Sequence, residues 1–417
     1  MKFSQLTDIL KYKYRDGENP KAIQKRKKRD CIFYCAAAVL LITSIILNVI
    51  SSKSTLEGGH TSNPWQTPVP QGNIKISADR SKFTKRMEVD QKRINQPSIY
   101  GHEMLFSAGS GMLEGAVLNK LYLFDAKTGK AEKVADSKLA DGEIFETYLS
   151  QNWIVWVDTD HKGKNVIYKM NRVDINGIKA NTVSVVQEAQ NHMPRLGLYD
   201  NYLVWMEQIS DKEDKLYFVD LTTDENMSIK LFENTNYAVS TPYIFKDMVL
   251  WADNDPADTT NTKSAIHYVV FEELGSTNNS EESEDESLDS TQNDSGMLET
   301  QIFATGTYVH KPICNDDVFV WIDKNNAPDS TLYFAYKNGN DAPKALWQNI
   351  TQYSVGEDFI CFVHSQIVYA YYYQTDILLQ VSSATRSAIL PQAFGTLIVW
   401  EDKTENGDDV FMYNIMG

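Results

Sequence analysis

The chain has 417 residues, 42% hydrophobic and 11% aromatic, enough apolar side chain for a sizeable core, which excludes a wholly disordered protein. Its formal charge is −16, and residues 1–30 hold ten Lys/Arg against four Asp/Glu, so they carry +6 and −16 − 6 leaves −22 for the remainder. So acidic a remainder repels phosphate backbones, which excludes nucleic acid as its partner.

The first predicted element is a basic cytoplasmic tail, residues 1–30. Phe3, Leu6 and Leu10 recur in it at helical spacing, which fits a short amphipathic helix on the inner leaflet as well as an unordered tail. Residues 31–50, "CIFYCAAAVLLITSIILNVI", carry no formal charge over twenty positions. At about 1.5 Å per helical residue they match a hydrocarbon layer of about 30 Å, so they are predicted to be one transmembrane helix. Lys25 to Arg29, five cations in a row just before it, set the N-terminus in the cytoplasm and the rest outside the cell membrane. A cleaved secretory signal is the competing reading, although its apolar region is usually about 7–15 residues. Residues 51–83, containing "GGHTSNPWQTPVPQG", read as an extracytoplasmic stalk.

From residue 84 onward one pattern repeats. "WIVWVD" (153–158), "YLVWME" (202–207), "MVLWAD" (248–253), "VFVWID" (318–323) and "LIVWED" (397–402) each end in Trp, any residue, acid. "EMLFSA" and "DFICFVH" supply two further copies with Phe in the Trp place. The anchors Phe106, Trp156, Trp205, Trp251, Trp321, Phe362 and Trp400 are 50, 49, 46, 70, 41 and 38 residues apart. A period of about 40–50 residues built from short apolar segments is that of propeller blades. A turn and a shorter strand precede each anchor, as in "PRLGLYDNYLVW" and "TPYIFKDMVLW". A third strand such as "KLYFVD" follows, and then in most units a fourth.

The anchor runs do not alternate between apolar and polar residues, so both faces of each strand are predicted to be dry, as they are when a neighbouring blade covers each side. The fold class is therefore all-β: a seven-bladed propeller over 84–417, with six or eight blades as the alternatives, preceded by the single transmembrane helix. The seventh unit stops after its third strand. Counting back from the first blade predicts that Met87 to Val89 pair with it and close the ring. Residues 275–299 interrupt blade four with Ser, Asn and acids and are predicted to be disordered, either a plain solvated loop or a lure for a basic partner. Outside the membrane only Cys314 and Cys361 remain, too few for a disulfide scaffold; Cys361 in "FICFV" reads as a buried thiol, with a single Cys314–Cys361 bridge as the alternative.

The predicted loops between strands two and three gather on one face and are acidic. Asp158, Asp160, Glu207, Asp253, Asp255, Asp323, Glu401 and Asp402 are the candidate partner-binding residues, with Asp211, Asp258, Asp408 and Asp409 in the same loops. Such a ring could greet a cationic partner or a hard cation, while turn-forming Asp that bonds its own backbone explains the same pattern. "DTDHKG" (158–163) mimics the start of a calcium loop, but Lys162 stands in a ligand place and no downstream Glu completes it. Ser110 in "SAGSGM" lacks the glycine two residues before it that a nucleophile elbow needs. The seven His are not at zinc spacing. No catalytic residue, metal or cofactor is expected.

The stretches "LVWMEQISDKEDKLYFVDLTT" (203–223), "LFDAKTGK" (123–130) and "LIVWEDKTENGDDVFMYN" (397–414) resemble the bacterial TolB-like propellers, whose WD40-like repeats are of the PD40 type. The resemblance spans roughly residues 85–417 and departs from the family's stronger "SPDG" turn. It implies an extracytoplasmic binding or docking module. The expected function is thus a membrane-anchored, non-enzymatic scaffold for an envelope protein, peptide or glycan. The alternative is a propeller hydrolase or lyase acting on envelope carbohydrate. A desolvated acid pair with an Arg or His in the central funnel would mark the second, and an acidic or tyrosine-lined rim the first.

Overall fold

A strand that is apolar on both faces has to be covered on both, and each anchor run is the second strand of an antiparallel sheet that lies between two others. The computed structural model describes residues 76–416 except 90–92, 96, 110–116, 175–179, 188–195, 211–212, 224, 234–240, 261, 271–299, 325–329, 339–341, 384–386 and 404–408. All of them belong to the unit Thr67–Gly417. The predicted tail (1–30), transmembrane helix (31–50), first part of the stalk and acidic insert (275–299) lie outside the described residues. Among the described residues no helix is long and apolar enough to cross a membrane.

Seven sheets form a seven-bladed propeller. Blade two shows the plan: Glu143–Leu149 is innermost, then Trp153–Thr159, Lys164–Asn171 and, at the rim, Asn181–Gln187. The innermost strands of the other blades are Ser98–Tyr100, Leu196–Tyr199, Tyr243–Phe245, Val309–Cys314, Tyr353–Val355 and Ile389–Phe394. Contacts run from each blade to the next in sequence, and Ile389–Phe394 meets Ser98–Tyr100 to complete the circle.

Seven apolar clusters hold the ring, one at each junction between blades. Each contains one anchor aromatic, packed on the strands of the blade before it. Trp156 joins Leu105 and Leu121 of blade one, Trp205 joins Val155 and Ile167 of blade two, and Trp400 joins Cys361 and Val368 of blade six. Phe106 closes the circle by meeting Leu397 and Phe411 of blade seven. The anchors are at most 3% exposed, and burying each contributes on the order of 2–3 kcal/mol. In register opposite them on strand three stand Tyr122, Tyr168, Tyr217, His267, Tyr333, Tyr369 and Met412. In six blades the two rings stack, as in Trp205 on Tyr217 at 5.0 Å and 12°.

Closure differs from the expectation by two residues. The strand completing blade seven is Lys85–Arg86, antiparallel to Tyr413 and Met412, and not Met87 to Val89. Met87 adds one further backbone bond, its N–H donating to the Phe411 carbonyl at 2.8 Å. Its side chain is 2% exposed and enters the cluster between blades seven and one. The ring also begins earlier than residue 84. Ile76–Asp79, inside the predicted stalk, pairs in parallel with Ile377–Gln380 as a fifth strand of blade six. Cys314 and Cys361 are buried free thiols in different clusters.

Candidate functional site

The acid of the Trp-x-acid repeat lies two residues past the anchor, hence on the same face of the strand. Its partners are backbone amides in the loop that crosses over from the preceding blade. Asp158 accepts from the Lys138 N–H, Asp323 from the Tyr308 N–H at 2.9 Å, and Asp402 from the Ser387 N–H at 3.1 Å. These three are at most 8% exposed. Burial pushes the Asp158 and Asp323 carboxyls up, and the amide bonds pull them part of the way back. Burial raises the Glu207 carboxyl, and the nearby Lys215 charge offsets part of that.

The remaining candidates bond within their own loops. Asp253 accepts from the Asn254 N–H, Asp255 from Ala257, and Asp160 from Lys162 and Lys164, whose amides hold its carboxyl below the usual range. Glu401 is half-buried in blade seven. Among the described residues no group of three His, Cys, Asp or Glu is placed to hold a metal ion. The eight acids thus occupy the strand two to three side of five separate blades, and six of them are bonded to nearby backbone.

The seven innermost strands enclose a central channel of about 490 Å³. Each blade's innermost strand contributes to its wall, and Tyr100, Tyr148, Tyr199, Tyr243, Tyr353 and Phe394 are among the lining residues. A neighbouring strand braces several of them. The Tyr243 hydroxyl donates to the Cys314 carbonyl at 3.0 Å, Tyr353 donates to the Lys311 carbonyl, and Tyr148 accepts from the Leu196 N–H at 3.0 Å. Burial raises Tyr243 and Tyr353 far above the ordinary phenol range, so both stay protonated donors.

The channel opens among the turns from strand one to strand two, where Asp200, Asp316 and Glu357 stand. Burial raises the Tyr199 phenol, and the charges of Asp200 and Asp316 raise it further, so both carboxylates bear on one ring at the mouth. Cations of the protein itself already lie on these aromatic faces. Lys246 pairs with Asp316, and its ammonium sits 5.7 Å above Phe245, with that of Lys337 at 5.2 Å. Arg172 pairs with Glu103 and lies 6.0 Å over Tyr100. The mouth therefore combines carboxylates with aromatic rings on which the protein's own ammonium and guanidinium groups already rest, the chemistry that holds such groups.

Sequence reading directed attention to the acids after strand two and passed over the channel residues. The signal was present at the end of strand one, where "SIYGH", "LGLYD", "YIFKD" and "QYSVGE" each set an aromatic near a turn acid or polar residue.

No protein-family model matches the chain, and none of the curated proteins matches it by sequence. Solved structures do match. One is the β-propeller domain of the trilobed protease of Pyrococcus furiosus (9% identity, TM-score 0.52, 78% of this chain and 93% of that one), described as having an open velcro topology. Another is an oligogalacturonate lyase in complex with manganese (12%, 0.54, 80% and 93%). A prolyl endopeptidase structure matches at 10% and 0.54 over 78% of this chain but 47% of that one, so this chain spans about half of the peptidase's length. At such identities the likeness shows the propeller fold alone.

Proposed function

We propose that this propeller is a non-catalytic docking module of the TolB-like kind, held on the outer side of the cell membrane by the helix 31–50, and that its channel mouth takes a basic segment of an envelope protein or peptide. The observation that carries the reading is the mouth itself. Asp200, Asp316 and Glu357 ring an aromatic channel whose faces already hold the internal cations Lys246, Lys337 and Arg172. A Lys or Arg side chain entering there meets a carboxylate and a tyrosine face together, and the −22 balance of the residues after the anchor steers it inward. The carboxyls Asp158 and Asp323, which burial raises, are committed to crossover loops and are not paired across the channel, which weighs against acid–base work on a carbohydrate.

The test is a panel of immobilised peptides, rich in Lys/Arg, in acetyl-lysine or in Glu, together with uronate oligosaccharides, offered to the full chain in detergent. Binding restricted to the basic peptides, weakened about tenfold in Asp200→Asn with Asp316→Asn, is the expected result. Oligosaccharide cleavage, or peptide binding indifferent to those two substitutions, would contradict it.

A further inference from the structure

The segment that latches the ring has a second chemistry on its outward side. Residues 80–86, "RSKFTKR", hold four cations between the acids Asp79 and Glu88, the second of which pairs with Arg86 at 3.9 Å, within a region whose balance is strongly negative. The backbone of this latch is fixed. The Arg80 N–H donates to the Gln380 carbonyl and its guanidinium to the Ile415 carbonyl, the Thr84 hydroxyl donates to Val381, and Lys85–Arg86 pair with blade seven. With the backbone tied down, the side chains of Lys82, Phe83, Lys85 and Arg86 remain exposed.

Phe83 is 53% exposed, with the Arg80 guanidinium and the Lys82 ammonium each 5.1 Å from its ring centre. Two more of the six large apolar side chains exposed among the described residues stand at the start of the strand pair that leads into this turn: Ile76 on the latch strand at 43% and Ile377 on the strand it pairs with at 38%. An exposed aromatic ring with the exposed Lys82 ammonium on it, followed by exposed Lys85 and Arg86 on a latch that also carries an exposed aliphatic, is the composition of a surface that rests at a lipid headgroup layer. The cations meet anionic phosphates there while the apolar groups enter the acyl boundary. The predicted bilayer helix ends at residue 50, which leaves only 25 residues before the latch strand at Ile76.

We infer that the latch 76–86 is a membrane-contact surface for anionic lipid. This inference rests on the proposed anchor for its geometry, and it assigns a rim of the propeller, at blades six and seven, to the bilayer. The channel mouth is then left for the partner.

The experiment uses the full chain with vesicles of phosphatidylcholine alone or with about 30% phosphatidylglycerol, following flotation and then amide exchange over 76–86. The expectation is flotation with both vesicles and exchange at least fivefold slower on the anionic ones, about the factor for one cation at an anionic surface. The variant Lys82→Glu with Lys85→Glu, both exposed side chains, should lose that protection while the core amides of blade seven stay unchanged. Flotation with anionic vesicles only would support the latch and overturn the anchor. Flotation with neither would overturn both. Equal exchange on the two bilayers, or protection that survives the double variant, overturns the lipid contact alone.

Discussion

Met87 donates its backbone N–H to the carbonyl of Phe411, and both side chains are buried in one cluster with Phe106. Two ends of the chain, more than three hundred residues apart, are joined there, and the bond continues the short pairing of Lys85–Arg86 with blade seven. Met87→Ala should therefore cost about 2–4 kcal/mol in denaturant unfolding, the range for a buried Met losing its side chain. Because closure is cooperative around the ring, every blade should unfold at the same lowered midpoint, which tryptophan fluorescence and far-ultraviolet dichroism would check together.

Trp205 and Tyr217 offer a measure of what each blade's ring stack contributes. Trp205→Ala should destabilise by about 3–5 kcal/mol, since it empties the junction between blades two and three. Tyr217→Leu should cost less, and the two together less than their sum by about 0.5–1.5 kcal/mol, the coupling of stacked rings. A double-mutant cycle in urea reads this directly.

His310, on the innermost strand of blade five, is held neutral. Burial, with Lys311 adding to it, pushes the imidazole down to about 4. Its folded value lies below the unfolded value near 6.5, so above about 6.5 it adds no penalty, and stability is lost as the pH falls from there through about 4. The loss attributable to this side chain should be about 2–3 kcal/mol, reduced where solvent screens it. Comparing urea midpoints of the protein and His310→Gln from pH 7 to 4.5 should show the variant's profile flatter by that amount.

Asp323 and Gly306 act as one device. A Cβ on Gly306 would stand 2.4 Å from Asp323 Oδ2, so the glycine makes room for the carboxylate that binds the Tyr308 amide. Asp323→Ala should cost about 1–3 kcal/mol through the amides it leaves unpaired, and Asp323→Asn less, because an acceptor oxygen remains. Gly306→Ala added to Asp323→Ala should cost less than Gly306→Ala alone, the remainder coming from Val309 Cγ1, which the same Cβ would meet at 2.7 Å. Thermal unfolding of the four variants tests the coupling.

The blade number, the second strands and the anchors were legible because burial on both faces leaves a continuous apolar run, and because the Trp-x-acid pattern keeps its order from blade to blade. The latch was legible only to within two residues. Its strand pairing is two residues long, and Met87, where the sequence places the start of the strand, follows that strand with one more backbone bond and a buried side chain. The acids after the anchors were visible as a pattern, but their partners were not. Lys138, Tyr308 and Ser387 contribute backbone amides, which leave no residue-type signature. The channel was hidden for a related reason: Tyr100, Tyr199 and Tyr353 lie in different blades at irregular spacing, and only closure of the ring brings them to one wall.

Docking at the mouth is tested most directly by a photo-crosslinking residue placed at Tyr199 in the full chain, with the same residue at exposed Lys133 on the rim of blade one as reference. The account predicts adducts at position 199 and not at 133, with Lys- or Arg-rich peptides at the linked sites. Adducts of equal yield at both positions, or adducts of carbohydrate at 199, would contradict it.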